Sequence, residues 1–233
     1  MDIDSQSNKI SVLMSVYNDE KRVSKSIESI LNQTYNNIEI LLIDDGSTDN
    51  SLEICKRYED NYSNVRLFKN YKNVGLTKSL NILINESKGE YICRQDADDV
   101  SLPTRIQTQI TTVISENLDA CTTRAKVLNK NRVIPNISFY LPLNLIIKFK
   151  NPFIHGSLFL KKDVLNKVGN YNEKFRFAQD YKLMNDLLKD GYKCKIIKEP
   201  LYLLNMENNI STTYSKEQKY FANCVRKNIE PIN

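Results

Sequence analysis

The chain has 233 residues, enough for one large α/β domain that buries a full core without staples. Hydrophobic residues make up 41% and charged residues 26%, which excludes a disordered chain. The net charge of +5 comes from basic residues spread along the sequence with no arginine-rich block, which argues against a nucleic-acid partner.

Residues 10–16 read as a short buried strand, and Val23, Ile27, Ile30 and Leu31 then fall on one helical face. IEILLID, residues 38–44, is a nearly continuous apolar run of strand length, as found in parallel sheets covered on both faces. Ser47, Thr48 and Asp49 supply helix-start chemistry ahead of Leu52, Ile54 and Cys55. A third strand is expected at 65–68, a helix at Leu76, Leu80 and Leu83 ending near Gly89, and a fourth strand at 90–94 that runs into QDADD. This alternation predicts an open, doubly wound, mostly parallel sheet with helices on both faces, whose ligands sit beyond the carboxyl ends of the strands.

The second half is less regular. A helix is expected at 103–115, a hairpin from 119–128 and 132–137 around Lys130-Asn131, and a strand at 155–160. A helix at 180–190 is stopped by Gly191, a strand follows at 192–197, and a terminal helix at 216–228. Cys55, Cys93, Cys121, Cys194 and Cys224 form no CxxC pair, so neither a zinc site nor a redox motif is expected, and a reducing compartment is the natural setting. The polar start MDIDSQSNK lacks the apolar core of a signal peptide, and no run of about 18 apolar residues occurs to span a membrane.

Two acidic clusters fall at the expected ligand edge. In Asp96-Ala97-Asp98-Asp99, three carboxylates repel one another unless a cation neutralises them, and hard oxygen ligands suit Mg²⁺ or Mn²⁺. The alternative is a solvated acidic turn before the next helix; Arg94, just upstream, favours function. Asp44-Asp45-Gly46-Ser47 ends an apolar strand, where a carboxylate can accept a nucleobase N–H; an ordinary Asp/Gly turn is the plainer alternative. Asp180, at the start of a helix, fits either a general base or a carboxylate favoured by the helix dipole. His155 is the only histidine, and a lone histidine is more often structural.

Taken together, the motifs resemble the family 2 glycosyltransferases, which are inverting enzymes of the GT-A fold. The matching stretches are SVLMSVYND, SILNQTY, IEILLIDDGSTDNS, NVGLTKSLN, GEYICRQDADDVSLPTRIQTQ, NPFIHGSLFLKKDVLNKVGNYNEKF and AQDYKL, in order across about residues 9–205. The resemblance implies one GT-A domain, with a nucleotide-binding half at about 9–100, an acceptor half at about 101–205 and a C-terminal tail or helix at 206–233. Tyr17 and Asp44 or Asp45 would hold the donor's base, Lys78 and Arg94 would line the donor site, Asp96 would face the ribose and Asp98 would bind Mn²⁺ or Mg²⁺. Asp180 matches the acceptor-side base, while Asp99, His155 and Gln179 fall to the acceptor or diphosphate.

The implied reaction moves one sugar from a nucleotide-diphosphate sugar, a UDP-sugar favoured, to a hydroxyl of a glycan or lipid-linked acceptor in bacterial cell-surface polysaccharide biosynthesis. A degenerate sugar-nucleotide binding protein and a sugar-phosphate nucleotidyltransferase are the alternatives. The latter normally carries a Gly-rich loop after its first strand, where this chain has Val16-Tyr17-Asn18-Asp19. Gln179 stands where the family often has Glu, Lys182 where it often has Asp, Met184 where it often has Trp, and the late Tyr-Arg-x-His element is degraded to Leu204-Asn205-Met206-Glu207. The QxxRW motif of processive members is absent. A cytoplasmic location follows, peripheral at the cytoplasmic face of the inner membrane if the apolar, lysine-bearing segment 140–153 lies at an anionic lipid surface rather than in the core.

Overall fold

The computed structural model describes residues 7–130, 132–207 and 214–232. Its first half is a run of alternating elements: β1 (Ile10–Val16), α1 (Val23–Leu31), β2 (Ile38–Asp44), α2 (Ser51–Asn61), β3 (Val65–Lys69), α3 (Leu76–Glu86) and β4 (Tyr91–Arg94). After these come β5 (Val100–Ser101), α4 (Arg105–Ser115), β6 (Ala120–Val127), β7 (Val133–Ile134), a 3₁₀ turn (Ile137–Tyr140) and the short α5 (Leu143–Ile146). A second 3₁₀ turn (His155–Ser157) leads to β8 (Phe159–Lys161), α6 (Lys162–Lys167), α7 (Gln179–Lys189), β9 (Cys194–Leu204) and α8 (Ser215–Lys227).

All strands join one sheet of order β3-β2-β1-β4-β8-β6-β9-β5, with β7 paired to β6. Strands β3, β2, β1 and β4 are parallel, and β9 runs parallel to β6. β8 is antiparallel to both β4 and β6, and β5 is antiparallel to β9. The sheet is therefore mostly parallel where the strand–helix alternation is regular and mixed beyond β4.

The alternation of side chains along each strand divides the core in two. On β1, Ile10, Val12, Met14 and Val16 pack with α1, α2 and α4 on one face. Leu13 points the other way, into a cluster shared with α3, α6, α7 and α8. Every residue of β2 is buried, as expected of a strand covered on both faces.

Most expected elements appear within a residue or two. The strand expected at 155–160 is a correction: residues 155–157 form a 3₁₀ turn and the strand is shifted to Phe159–Lys161. The turn brings Gly156 so close to neighbouring groups that a Cβ there would stand 2.2 Å from the Tyr202 hydroxyl and 2.6 Å from Asp96 Oδ2, so only glycine fits. The strand expected at 192–197 continues to Leu204, across a register shift near Arg124. The hairpin pairs β6 with β7 as expected, although Asn131 at its tip lies outside the described residues. All five cysteines are free thiols. Among the described residues, no helix is long and apolar enough to cross a membrane.

Candidate active site

Parallel pairing of β1 with β2 and β4 brings three loops to one edge of the sheet. Val16 is in register with Asp44, and the Asp45 N–H donates to the Val16 carbonyl at 2.8 Å, so Tyr17 and the Asp44-Asp45 pair emerge side by side. Tyr17 is 49% exposed. Behind it, Asn18 Oδ1 accepts the Thr48 N–H at 2.8 Å and its own N–H reaches Ser47 Oγ at 3.0 Å, which ties the β1–α1 and β2–α2 loops together.

The two neighbouring aspartates do different things. Asp45 is saturated: Oδ1 accepts Asn70 Nδ2 at 2.8 Å and the Val74 N–H at 3.0 Å, and Oδ2 accepts the Gly75 N–H at 2.9 Å. It fixes the loop that starts α3, whose first turn carries the exposed Lys78. Asp44 is buried, and its Oδ2 accepts only the Ser47 N–H at 3.2 Å. Its Oδ1 has no partner among the described residues. A buried acceptor without a protein partner is uncommon and calls for an explanation, such as a bound water or a ligand donor. Gly46 makes the turn between them and the helix: its φ is +74°, and a Cβ would meet the Lys72 carbonyl carbon at 2.5 Å.

Beyond β4 the chain coils into a tight acidic turn. Gln95, fully buried, knots it: Nε2 donates to the Asp99 carbonyl at 3.0 Å and to Ser26 Oγ at 2.9 Å, and Oε1 accepts Ser101 Oγ at 2.6 Å. Arg94 is also buried. It donates to the Leu13 carbonyl at 3.0 Å and to the Asp96 carboxylate, so it meets the site through Asp96. The Asp96 N–H donates to the Tyr202 hydroxyl at 3.1 Å, and Asn205, one residue past β9, donates its N–H to Asp99 Oδ1 at 2.7 Å and Nδ2 to Asp98 Oδ2 at 3.3 Å. Arg22 Nη1 approaches Asp98 Oδ2 no closer than 3.8 Å.

These carboxylates are undercompensated. Burial, then the adjacent Asp96 charge, pushes the Asp98 carboxyl up to about 6. Burial, then Asp96 and Asp98, holds Asp99 well above the usual carboxylate range. Among the described residues no three His, Cys, Asp or Glu side chains converge on a metal position. One or two carboxylates with substrate phosphate oxygens are, however, the usual way Mg²⁺ is held, and Asp96 with Asp98 offers that donor set.

The residues expected on the acceptor side come from a separate set of elements. Ala178 adopts left-handed backbone (φ 54°) and turns the chain into α7, with the buried Gln179 first and Asp180 second in the helix. Asp180 Oδ2 accepts Asn151 Nδ2 at 2.8 Å. Asn151 Oδ1 accepts the Phe153 N–H at 3.1 Å, which fixes the amide so that its NH₂ faces the carboxylate. His155 Nε2 lies 2.8 Å from the Tyr171 hydroxyl. Burial, then the Arg94 charge, holds the imidazole below its ordinary value, while the charges of Asp180 and Asp96 pull the other way. The charges of both Asp96 and Asp180 act on His155 and Tyr171, so these two side chains lie near the acidic turn and near the start of α7.

Sequence reading missed Arg22, Asn151, Tyr171, Tyr202 and Asn205 as members of this constellation. Asn151 and Tyr171 carried a local signal, since both lie in the matching stretch NPFIHGSLFLKKDVLNKVGNYNEKF. Asn205 lies within the very element that departs from the family pattern, and it takes up both Asp98 and Asp99.

The mostly parallel sheet flanked by helices thus gathers the acidic turn and the Asp44 carboxylate at the strand ends, the edge where α/β sheets bind their ligands. The profile described as "Glycosyl transferase family 2" matches residues 11–169, and the chain belongs to that family. It is 34% identical over 188 residues to the O-antigen biosynthesis glycosyltransferase WbnJ of Escherichia coli, a match covering 78% of this chain and 72% of WbnJ. It is 32% identical over 220 residues to EpsE of Bacillus subtilis (strain 168), covering 89% of this chain and 78% of EpsE. Among solved structures, S. aureus TarS 1–349 in complex with UDP-GlcNAc superposes with a TM-score of 0.75 at 20% identity, covering 88% of this chain and 60% of that one. The mannosyltransferase PcManGT of Pyrobaculum calidifontis, in complex with GDP-Man and Mn²⁺, superposes with a TM-score of 0.76 at 16% identity, covering 96% and 66%. At such identities these two likenesses establish the GT-A-like fold.

Proposed function

We propose that this chain transfers one sugar, with inversion, from a nucleotide-diphosphate sugar to a hydroxyl of a glycan or lipid-linked acceptor in cell-surface polysaccharide synthesis. What supports the reading is the gathering at one sheet edge of Asp44 and the Asp96/Asp98 turn, with His155 and Tyr171 within electrostatic reach of both Asp96 and Asp180. WbnJ supports a polysaccharide product, and the TarS complex supports a UDP-sugar.

Tyr17 and Asp44 face the base. Asp45 acts indirectly, by holding the 70–75 loop and so the start of α3, where Lys78 extends toward the donor. Asp96, braced by Arg94, faces the ribose. Asp98 with Asp96 would hold Mn²⁺ or Mg²⁺, and the PcManGT complex supports such a cation. When bound, the cation neutralises the pyrophosphate and stabilises the departing diphosphate. Asp180 removes the acceptor proton as the oxygen attacks the anomeric carbon; the bond to the diphosphate breaks with its electron pair on the leaving oxygen, and one displacement inverts that centre. Neutral His155, with Gln179 and Asp99 nearby, borders the diphosphate and acceptor. The enzyme works in the cytoplasm in peripheral contact with the inner membrane.

A thermal-shift screen of UDP and GDP with Mn²⁺ tests this reading. Ligands of the native state raise its stability by RT ln(1 + [L]/Kd). A midpoint rise with UDP plus Mn²⁺, together with slow hydrolysis of UDP-GlcNAc or another nucleotide sugar, is expected. A rise without hydrolysis would favour a binding module, and no rise with either nucleotide would refute the assignment.

A further inference from the structure

The segment between the 3₁₀ turn and Asn151 has two unlike faces. Its inner face is core: Ile146 and Ile147 are 8% and 4% exposed, and Phe153 beyond them is 5% exposed. The outer face carries Ile137, Tyr140, Leu145 and Phe149, at 77, 71, 51 and 63% exposure. This outer face belongs to an anchored segment. The Tyr181 hydroxyl of α7 donates to the Ile147 carbonyl at 2.5 Å, and Arg226 Nη1 of α8 donates to the Phe149 carbonyl at 2.8 Å. Large apolar side chains held outward by bonds to their own backbone mark an interaction surface.

Charge identifies the partner. Lys148 and Lys150 are exposed within the segment, Arg226 is exposed beside Phe149, and no Asp or Glu occurs between Tyr140 and Lys162. Apolar and aromatic side chains in a segment whose own charges are all cations suit a surface that is apolar within and anionic at its boundary, where rings and methyl groups enter the acyl region and ammonium heads reach phosphates. Placement supplies the purpose. The next residue, Asn151, donates to Asp180, so the outward face ends one residue from the group that holds the acceptor-side carboxylate.

We propose that the outer face of residues 137–150 docks on an anionic phospholipid bilayer and presents the Asp180 side of the cleft to acceptors at the lipid headgroup level. The inference rests on the peripheral-contact reading above and deepens it by naming the surface and the lipid class.

Co-sedimentation of the full chain with phosphatidylcholine vesicles, with and without phosphatidylglycerol, tests it. Wild type should sediment with the anionic vesicles at low salt, and added salt should release it, since such attraction is screened over about 8 Å at physiological ionic strength. Lys148→Glu/Lys150→Glu should bind at least about tenfold more weakly, because each basic residue near such a surface contributes several-fold. Leu145→Asn/Phe149→Asn should lose binding as well. These side chains are exposed, so both variants should keep the wild-type melting midpoint and its rise with UDP and Mn²⁺. That rise separates the two readings: its absence in wild type defeats the transferase assignment whatever the vesicles do. Failure of wild type to sediment at low salt, or equal sedimentation of the charge-reversed variant, overturns the docking surface. So does a wild-type dimer, seen by analytical ultracentrifugation and lost in Leu145→Asn/Phe149→Asn, which would assign the face to a second copy.

Discussion

The two sides of the candidate site, the proposed donor wall and the proposed acceptor wall, are built by different means. The donor wall grows from the ends of parallel strands, and the elements that position Tyr17, Asp44 and Asp96 also form the buried core, from the wholly buried β2 to the register of Leu13 with Arg94. The proposed acceptor wall grows from turns and a helix start: Asn151 bonds Asp180 and the Phe153 N–H, while His155 is held separately by the Tyr171 hydroxyl. The proposed donor wall is fixed by the sheet, while the proposed acceptor wall rests on α7, packed into the other core cluster through Tyr181, Leu183 and Met184, and on a few side-chain hydrogen bonds.

The largest effect should come from the donor wall. Asp98→Asn should take transfer below detection, and excess EDTA should do the same to wild type, because both remove the cation that accompanies the diphosphate. The variant should also lose the Mn²⁺-dependent part of the UDP thermal shift. Full turnover of a nucleotide sugar in EDTA would remove the metal from the scheme and leave the acidic turn a structural feature.

On the acceptor wall the loss should fall on turnover alone. Asp180→Asn should lower kcat by about 10²–10⁴ while donor affinity stays within a few-fold. Asn151→Ala should lower kcat by about 10–100-fold, the equivalent of one hydrogen bond to a charged group. Since Asn151 works through Asp180, adding Asn151→Ala to Asp180→Asn should cost little more. Additive losses would show that the turn, not the carboxylate, is what Asn151 serves. Weakened donor binding with normal kcat in Asp180→Asn would move that residue to the donor wall.

The same division governs what could be read from the sequence. Strand ends are legible because an apolar run must finish somewhere, and in a parallel sheet its finish is the ligand edge; the fold and Asp44, Asp96 and Asp98 followed from IEILLID and YICRQDADD. Periodicity placed α7 but not the Asn151–Asp180 bond, which spans 29 residues, nor the grip of Asn205 on Asp98, which spans 107. Contacts at that range depend on the finished packing of β9 against β6 and β5. The 155–160 segment failed for a related reason. Its apolar character is that of a strand, but residues 155–157 turn where Tyr202 and Asp96 approach Gly156, long-range neighbours that no local pattern announces.

The smallest effect separates the walls by stability instead of rate. Asp98 has an ordinary value of 3.8 and is pushed up to about 6, mainly by burial and then by Asp96. Because the native-state value is raised, the native state binds more protons than the unfolded chain between those limits. Metal-free stability should therefore fall as pH rises from about 4 to 6, and the penalty should persist above it. The elevated Asp99 shifts in the same direction and extends the decline to higher pH. For Asp98 alone the span corresponds to at most about 3 kcal/mol, or several degrees in melting midpoint for a chain of this size. Asp98→Asn should flatten the decline between pH 4 and 6 and melt higher than wild type at pH 7 without metal. Adding Mn²⁺ and UDP should narrow that gap by raising wild type selectively. Melting curves across this range, with and without Mn²⁺ and UDP, provide the check. An Asp98→Asn variant less stable than wild type at pH 7 would mean that Arg22 and Asn205 already compensate the carboxylate, and that the acidic turn has no electrostatic need of a cation.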